Sequence, residues 1–586
     1  LIESREQLVD AEYEPPQGPL ETVVAGILAE ILEVDRIGRS DSFYDFGGTS
    51  LQAIRVCTRI GRETGRQVNP ASLFEFDVVS EFVSRLPLPE SVTGDEPASG
   101  EEPGRLDEGP PRPEPGSDAL SPDETVAGLT GGLSEPGPRD GSLPGITPVP
   151  PAPWHPLSSS QLSMWLLEQA GAPHASYTEA AVYEMVGTLD REALHGALVR
   201  LLTRHESLRT AYGEVAGVPM QQVREDFSVD WETQAAAGED AVRSAIAEFV
   251  QRDFDLPAGR LIRFLLLEQA PDRHVLVVSA HHIAVDGWSL TVLIDDLIAG
   301  YDDRLRGRSS AAAAAPELQY KDYARWQQRM LDRPAADESR GYWSKKLAEA
   351  PEPLDLPADR SRPAVRSYRG AVLRRTVPSQ VLHGLKSLCR EESATLYTGI
   401  SAALRVLFFR YTGQRDFVLG TSALGRPLEA LDQQIGCYVN SIALREEIPA
   451  GATFRALLRS VQGSLTESVR HSEYPFDRVV RDTGAVTTGN RNPLFDVMVM
   501  MDPAWGAPTT EPAGLRVRHL EHSVQHSKMD LTLYFLDRGG TSWGSPSSTR
   551  RTCSTRHGSS GCCPTSRRCS PASAAPPRPP WRNWRS

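Results

Sequence analysis

In the stretch LETVVAGILAEILEV, the apolar residues Leu20, Val23, Val24, Ile27, Leu28, Ile31 and Leu32 return every three to four positions. That spacing places them on one face of a helix, and Pro19 suits the helix start. SLQAIRVCTRIGRE repeats the pattern with Leu51, Ile54, Cys57 and Ile60, and VVSEFVSRL predicts a further short helix. Helices of this size packed on one small core make a bundle, so residues 17–87 are predicted to form a small helical domain.

The periodicity then stops. Over residues 88–152 proline, glycine and acidic residues dominate, with no aromatic before Trp154. Such a segment buries too little apolar area to offset its ordering entropy, and it is predicted to be a disordered linker. A coil of about 60 residues has a span on the order of 40 Å. From residue 153 the texture is mixed α/β. RHVLVVSA reads as a buried strand, and SLTVLIDDLIAGYDDRL as a helix with Leu290, Leu293, Leu297 and Ile298 on one face. DVMVMM and DLTLYFL read as two more strands.

Composition narrows the class. At 586 residues the chain is too long for one ordinary domain. A formal net charge of −15 argues against a nucleic-acid partner. No apolar run is long enough to span a bilayer, and the polar opening LIESREQLVDAEYEPP is not a signal peptide. The chain starts at Leu1 and reads as a fragment of something longer. Cys57, Cys389 and Cys437 lie far apart, as reduced thiols of a cytoplasmic protein do. Cys562, Cys563 and Cys569 have no standard zinc spacing, and no metal site is predicted.

Two short stretches carry chemistry. In DSFYDFGGTSL, Gly47 and Gly48 permit a turn with unusual backbone angles. Ser50 follows at the mouth of the next helix, where a phosphodiester is favoured by free N–H groups and the helix dipole; on local physics alone, capping that helix is the favoured role. In SAHHIAVDGWSL, His281 and His282 are adjacent, so in an extended segment they point to opposite sides. Asp286 precedes Gly287, where the chain is predicted to turn, and a carboxylate there can fix the loop by pairing with a buried arginine. Imidazole titrates near neutrality. It suits general acid–base chemistry near neutral pH, although a buried structural pair of histidines remains open.

DSFYDFGGTSL is similar to the carrier-domain pattern D-x-F-F-x-x-G-G-x-S-L, with Tyr44 in place of a usual Phe. The resemblance implies that a phosphopantetheinyl transferase attaches 4′-phosphopantetheine to Ser50, to hold an aminoacyl or peptidyl thioester. HHIAVDG resembles the H-H-x-x-x-D-G motif of condensation domains of non-ribosomal peptide synthetases, relatives of chloramphenicol acetyltransferase. LSSSQLSMWLLEQ at Leu157, RHESLRTAY at Arg204, YKDYARWQQ at Tyr320, IGCYVNSIALR at Ile435, HSEYPFDRVV at His471 and NRNPLF at Asn490 are similar to further motifs of that family, in its order.

The resemblance implies a multidomain chain. Residues 1–16 are the end of an adenylation domain or a linker, and 17–87 a four-helix-bundle peptidyl carrier. Residues 88–152 are the linker, 153–330 the first lobe and 331–540 the second lobe of a two-lobed condensation domain. His282 is implied to face a tunnel between the lobes as general base or hydrogen-bonding positioner, with His281 shaping the loop. Asp286 is implied to be structural, with Arg426 in TSALGRP as its partner and Trp288 as support. The implied function is amide bond formation between carrier-bound donor and acceptor, in the cytoplasm, with adenylation and carrier domains as partners. The alternatives are a docking fragment with an inactive condensation domain, and a free-standing acyltransferase, which the Ser50 motif disfavours.

Residues 541–586 lose all periodicity to arginine, serine, proline and cysteine. Condensation domains continue here with something like Tyr-Ser-Thr-Asp-Leu-Phe-Asp. Encoded TAC TCG ACG GAC CTG TTC GAC and read one base later, that spells Thr549, Arg550, Arg551, Thr552, Cys553 and Ser554. The tail is therefore predicted to be a shifted reading frame and to be disordered, leaving the second lobe without its last strand and helix.

Overall fold

The computed structural model of the chain describes residues 4, 5, 9, 11–32, 34–43, 46, 56–57, 59–61, 63–64, 66, 68, 73, 76–86, 145–171, 174–308, 315–364, 366–485, 490–502, 512, 514–520, 526–536 and 547–554.

In the first domain the helices Gly18–Ile31 and Val79–Arg85 meet over one core, with Pro19 in the first turn of the former. Val24, Ile27 and Leu28 pack there with Val79 and Phe82, and Phe43, Val56, Cys57 and Ile60 fill the space between them. The expected boundary at residue 16 moves. Arg5 is 1% exposed and grips both oxygens of Asp41, Nε to Oδ2 at 2.7 Å and Nη2 to Oδ1 at 2.6 Å. Its Nη1 also donates to the Ala11 carbonyl at 2.9 Å. A guanidinium leaves water only when such partners replace it, so the described part of 1–16 packs as part of the helical domain.

The second region has two lobes, each built on its own sheet. In the first lobe the strand order is β12-β2-β7-β6-β5. Here β2 is Thr178–Gly187, β5 Trp231–Ala235, β6 Ile262–Ala270, β7 Arg273–His281 and β12 Leu515–Leu520. Strand β7 lies antiparallel between β2 and β6 and is buried from His274 to His281. The helices Arg191–Arg204 and Gly287–Leu305 pack together and bury Leu194, Leu198, Leu201, Leu293, Leu297 and Ile298 in the same core. A small sheet of β1 (His155–Pro156), β3 (Thr210–Val215) and β4 (Val218–Val223) runs in the order β1-β4-β3.

The second lobe carries a six-stranded sheet in the order β10-β9-β11-β13-β14-β8. Its strands are β8 (Gly370–Val377), β9 (Asp416–Ala423), β10 (Asn440–Glu447), β11 (Val497–Asp502), β13 (Leu531–Leu536) and β14 (Ser547–Ser554). Strand β11 runs parallel to both β9 and β13. Phe417, Leu419, Val497 and Leu531 pack there against the helices Leu396–Thr412 and Phe454–Arg470 through Phe408, Leu457 and Val461.

Three expected limits are corrected. The range 331–540 is not one lobe, because β12 crosses over and pairs antiparallel with β2, from Leu515 opposite Gly187 to Leu520 opposite Val182. In LRVRHL, Leu515 and Val517 point inward and Arg516 and Arg518 outward, the period of a half-buried strand. The linker does not reach residue 152. Ile146 packs on Tyr320, Tyr323 and Tyr438, and Val149 N donates to Asp322 Oδ1 at 2.8 Å. The remainder of the linker, 88–144, lies outside the described residues. The tail is not wholly without structure, since β14 pairs antiparallel with β13 on one side and β8 on the other. Both neighbours have backbone N–H and C=O groups to satisfy, and a strand meets that need through its own backbone. The rest of 541–586 lies outside the described residues.

Candidate functional site at the seam between the lobes

Strand β7 ends at His281, and the helix Gly287–Leu305 begins five residues after His282. The two histidines part there. His281 is 1% exposed and lies edge-on to Phe254. Its Nδ1 accepts from Ile283 N at 3.1 Å, which leaves the ring proton on Nε2, 4.0 Å from Glu168 Oε2. His282 N donates to the Tyr177 carbonyl, and its ring faces the seam with its side chain 12% exposed. Nδ1 of His282 lies 2.8 Å from the Val285 carbonyl oxygen, so Nδ1 carries the proton and Nε2 is left to exchange one. Nε2 stands 3.2 Å from Glu179 Oε1. Burial, then the Lys528 cation, lowers the affinity of His282 for a second proton, and Glu179 works in the opposite direction.

Asp286 does not face the seam as a reagent. It caps the helix, with Oδ1 accepting from Ser289 N at 2.8 Å and Oδ2 from Tyr438 N at 3.1 Å. Arg426 of the other lobe donates from Nη2 to Asp286 Oδ1 at 3.1 Å and Oδ2 at 3.4 Å. Its Nη1 donates to the carbonyls of Leu431 and Gln434, and its plane stacks 4.0 Å over the Tyr438 ring. Both side chains are 2% exposed. Ser289 Oγ lies 2.7 Å from Asp286 Oδ1 and 2.8 Å from the Gly436 carbonyl oxygen, and accepts from Gly436 N at 3.0 Å. Gly425 has φ +64°, and a Cβ there would meet the Tyr438 carbonyl oxygen at 1.8 Å, so only glycine lets the chain bring Arg426 in. Gly287 opens the helix, and the next residue, Trp288, donates from Nε1 to the Asp432 carbonyl at 2.8 Å.

The scattered motifs converge on this seam. Tyr320 donates to the Cys437 carbonyl and accepts from Ser158 Oγ, 2.8 Å away. Gln161 Nε2 donates to Tyr212 OH at 2.9 Å. Asn440 donates to the carbonyls of Ser472 and Tyr474 at 2.7 and 2.9 Å. Asn492 donates to the Lys528 carbonyl at 3.0 Å. Two residues near His282 were not singled out in the sequence, Glu179 and Lys528, and Cys437, read there only as a reduced thiol, places its Sγ 3.8 Å from His282 Nδ1. Burial pushes the Cys437 thiol well above the usual range. No local cue marks Glu179. It reaches His282 because β2 pairs with β7, with Glu179 opposite Ala280.

Ser50, Gly47 and Gly48 lie outside the described residues. Phe43 before them and Val56 and Cys57 after them are buried in one core. Among the described residues no helix is long and apolar enough to cross a membrane.

A small helical domain followed by two acyltransferase-like α/β lobes with an imidazole at their seam defines a carrier joined to a condensation domain. Residues 22–86 match the phosphopantetheine attachment site family, and residues 154–541 match the condensation domain family. The chain belongs to the condensation-domain family, and is the carrier and condensation pair of a non-ribosomal peptide synthetase. Its first domain is of the kind to which 4′-phosphopantetheine is covalently attached.

Gramicidin S synthase 2 of Aneurinibacillus migulanus is 30% identical over 529 residues, 90% of this chain and 10% of that protein. Tyrocidine synthase 2 of Brevibacillus parabrevis is 29% identical over 531 residues, 90% of this chain and 13% of that protein. The chain thus spans less than a fifth of either relative. The X-domain from teicoplanin biosynthesis shares the fold with a TM-score of 0.65 at 27% identity, covering 70% of this chain and 92% of that structure.

Proposed function

We propose that this chain joins two carrier-bound building blocks through an amide bond, with Ser50 as the attachment point of the arm and His282 as the reacting imidazole. The observation that carries the reading is the pinned tautomer of His282: Nδ1 is tied to the Val285 carbonyl, and Nε2 is left at the seam to exchange protons. The arm supplies the thioester: the acceptor's amine nitrogen bonds the carbonyl carbon, the carbon–sulfur bond breaks, and the arm's sulfur leaves as a thiolate that takes up the proton the amine gives up. Nε2 of His282 takes a proton from the incoming amine or holds the amine in place, help worth about 10²–10⁴-fold when it is general acid–base catalysis. Asp286 and Arg426 keep the loop that presents His282 against the second lobe. Positioning of two tethered reactants contributes the rest. The likeness to a gramicidin S synthase and a tyrocidine synthase supports a role in peptide antibiotic assembly, with adenylation domains and further carriers as partners and a phosphopantetheinyl transferase as the modifying enzyme. The free thiols Cys57, Cys389 and Cys437 suit a cytoplasmic setting.

The test has two stages. Incubation with coenzyme A and a phosphopantetheinyl transferase adds the mass of the arm to the peptide containing Ser50, and Ser50→Ala does not gain it. With donor and acceptor carriers loaded, the chain forms a dipeptidyl thioester, and His282→Ala lowers the rate by about 10²-fold or more. Undiminished product from His282→Ala removes the role of the imidazole.

A further inference from the structure

Glu179 sits near the start of β2, and Lys528 precedes β13 in the other lobe. Lys528 Nζ is 3.4 Å from Glu179 Oε1, the same oxygen that lies 3.2 Å from His282 Nε2. Lys528 also lies 5.2 Å from the centre of the Tyr177 ring, and its own carbonyl is held by Asn492. Because the Nδ1–H of His282 donates a hydrogen bond to the Val285 carbonyl, a neutral imidazole turns the bare lone pair of Nε2 toward the carboxylate. Two acceptors at that distance repel unless one proton lies between them. Glu179 therefore stabilises a proton on Nε2. Lys528 opposes this, because a cation beside the same oxygen draws on the carboxylate and repels an imidazolium.

We propose that Glu179 and Lys528 are a pair of positioning residues, one from each lobe, that set opposite ends of a balance on His282 and so fix the pH at which Nε2 is free to act as a base. The inference rests on the condensation reading above and adds two residues to it. The other polar groups facing the ring are Cys437, with its Sγ near Nδ1, and Asp286, which is itself tied to Arg426. The Tyr177 phenol, pushed up to about 12 by burial, stays neutral in the working range. The signs follow from the charges. Glu179 raises the proton affinity of His282 and Lys528 lowers it, with burial the largest influence of all. Activity that needs the neutral ring falls as pH drops through its midpoint. Removing the carboxylate moves that fall to lower pH, and removing the ammonium moves it to higher pH.

The experiment uses the whole chain with 13Cε1-labelled histidine, and the difference spectrum of His282→Asn assigns the His282 signal. Glu179→Gln moves the titration midpoint of His282 down by about 1 unit and Lys528→Met moves it up by a similar amount. Lys528→Arg returns it toward the wild type. The acid limb of dipeptidyl thioester formation, probed with alanyl and phenylalanyl thioesters on holo-carriers, follows the same two directions. Midpoints that stay put, or that move the same way in both variants, overturn the proposal. Should the wild-type chain make no dipeptidyl thioester at any pH, the condensation reading fails, and the titration still decides this one. A variant whose melting curve is lost is replaced by another that also removes the charge, Glu179→Ala or Lys528→Gln, read by the same titration.

Discussion

His281, His282 and Asp286 belong to a frame of apolar residues, whereas the residues that meet them from the other lobe are held by charge and by loops. Strand β7 is buried along nearly its whole length, with Val275, Leu276, Val277 and Val278 at most 1% exposed. The second lobe offers Arg426 from a turn after β9, Cys437 from the segment before β10 and Lys528 from the segment before β13. Its outer strand β8 is mostly exposed, with Leu373 58% open to solvent. One lobe thus fixes where the imidazole stands, and the other decides which charges surround it.

The sharpest way to break this contrast is to remove the charge that joins the halves. Arg426→Met leaves Asp286 buried with its ionic partner gone, a loss of about 3–5 kcal/mol. Arg426→Lys restores only part of it, because an ammonium lacks the planar fork that reaches two carbonyls as well as the carboxylate. Unfolding in urea, with the midpoint converted at constant slope, measures both. A loss below about 1 kcal/mol for Arg426→Met would mean that the apolar frame alone holds the loop.

Within the frames themselves the contrast predicts unequal costs for equal surgery. Leu276→Ala in β7 opens a cavity in the first lobe and costs about 2–5 kcal/mol. Leu373→Ala in β8 removes a side chain already in water and changes stability by about 0.5 kcal/mol or less. Equal losses at the two sites, read by the same unfolding curves, would erase the distinction between a buried centre and an exposed edge.

Much of this was open to a reader of the sequence because the physical signals are local. The period of Val23, Val24, Ile27 and Leu28 marks a helix, and the run Val275–Val278 marks a buried strand, before any fold is known. Asp286 before Gly287 marks a turn, and the structure adds that the carboxylate caps the helix that follows. The strand partners left no such mark. LRVRHL alternates as a strand should, but nothing in it tells which of two sheets it joins, and it pairs with β2 across some 330 residues of chain. Glu179 and Lys528 are ordinary surface types until β2 pairs with β7 and the lobes close on them. The tail shows the opposite limit. Its side chains carry no strand pattern, yet its backbone at 547–554 completes a sheet.

A smaller loss than at Arg426 or Leu276 is expected at Trp288, which ties the start of the helix Gly287–Leu305 to the Asp432 carbonyl of the second lobe through a hydrogen bond of 2.8 Å. Trp288→Phe keeps an aromatic ring against the core of the first lobe and removes the N–H together with the outer part of a half-buried ring. Asp432 is half-buried, so its carbonyl is expected to exchange the protein donor for water. The loss is therefore about 1 kcal/mol, the net worth of one hydrogen bond, and not the larger penalty of an orphaned buried group. The urea midpoint falls slightly while the slope stays fixed. A loss above about 2 kcal/mol would show that Asp432 finds no water once the indole is gone, and that the seam is drier at Trp288 than its half-buried ring indicates. A change in slope would show instead that the lobes separate before either unfolds, with the charge pair at Asp286 and Arg426 too weak to hold them as one unit.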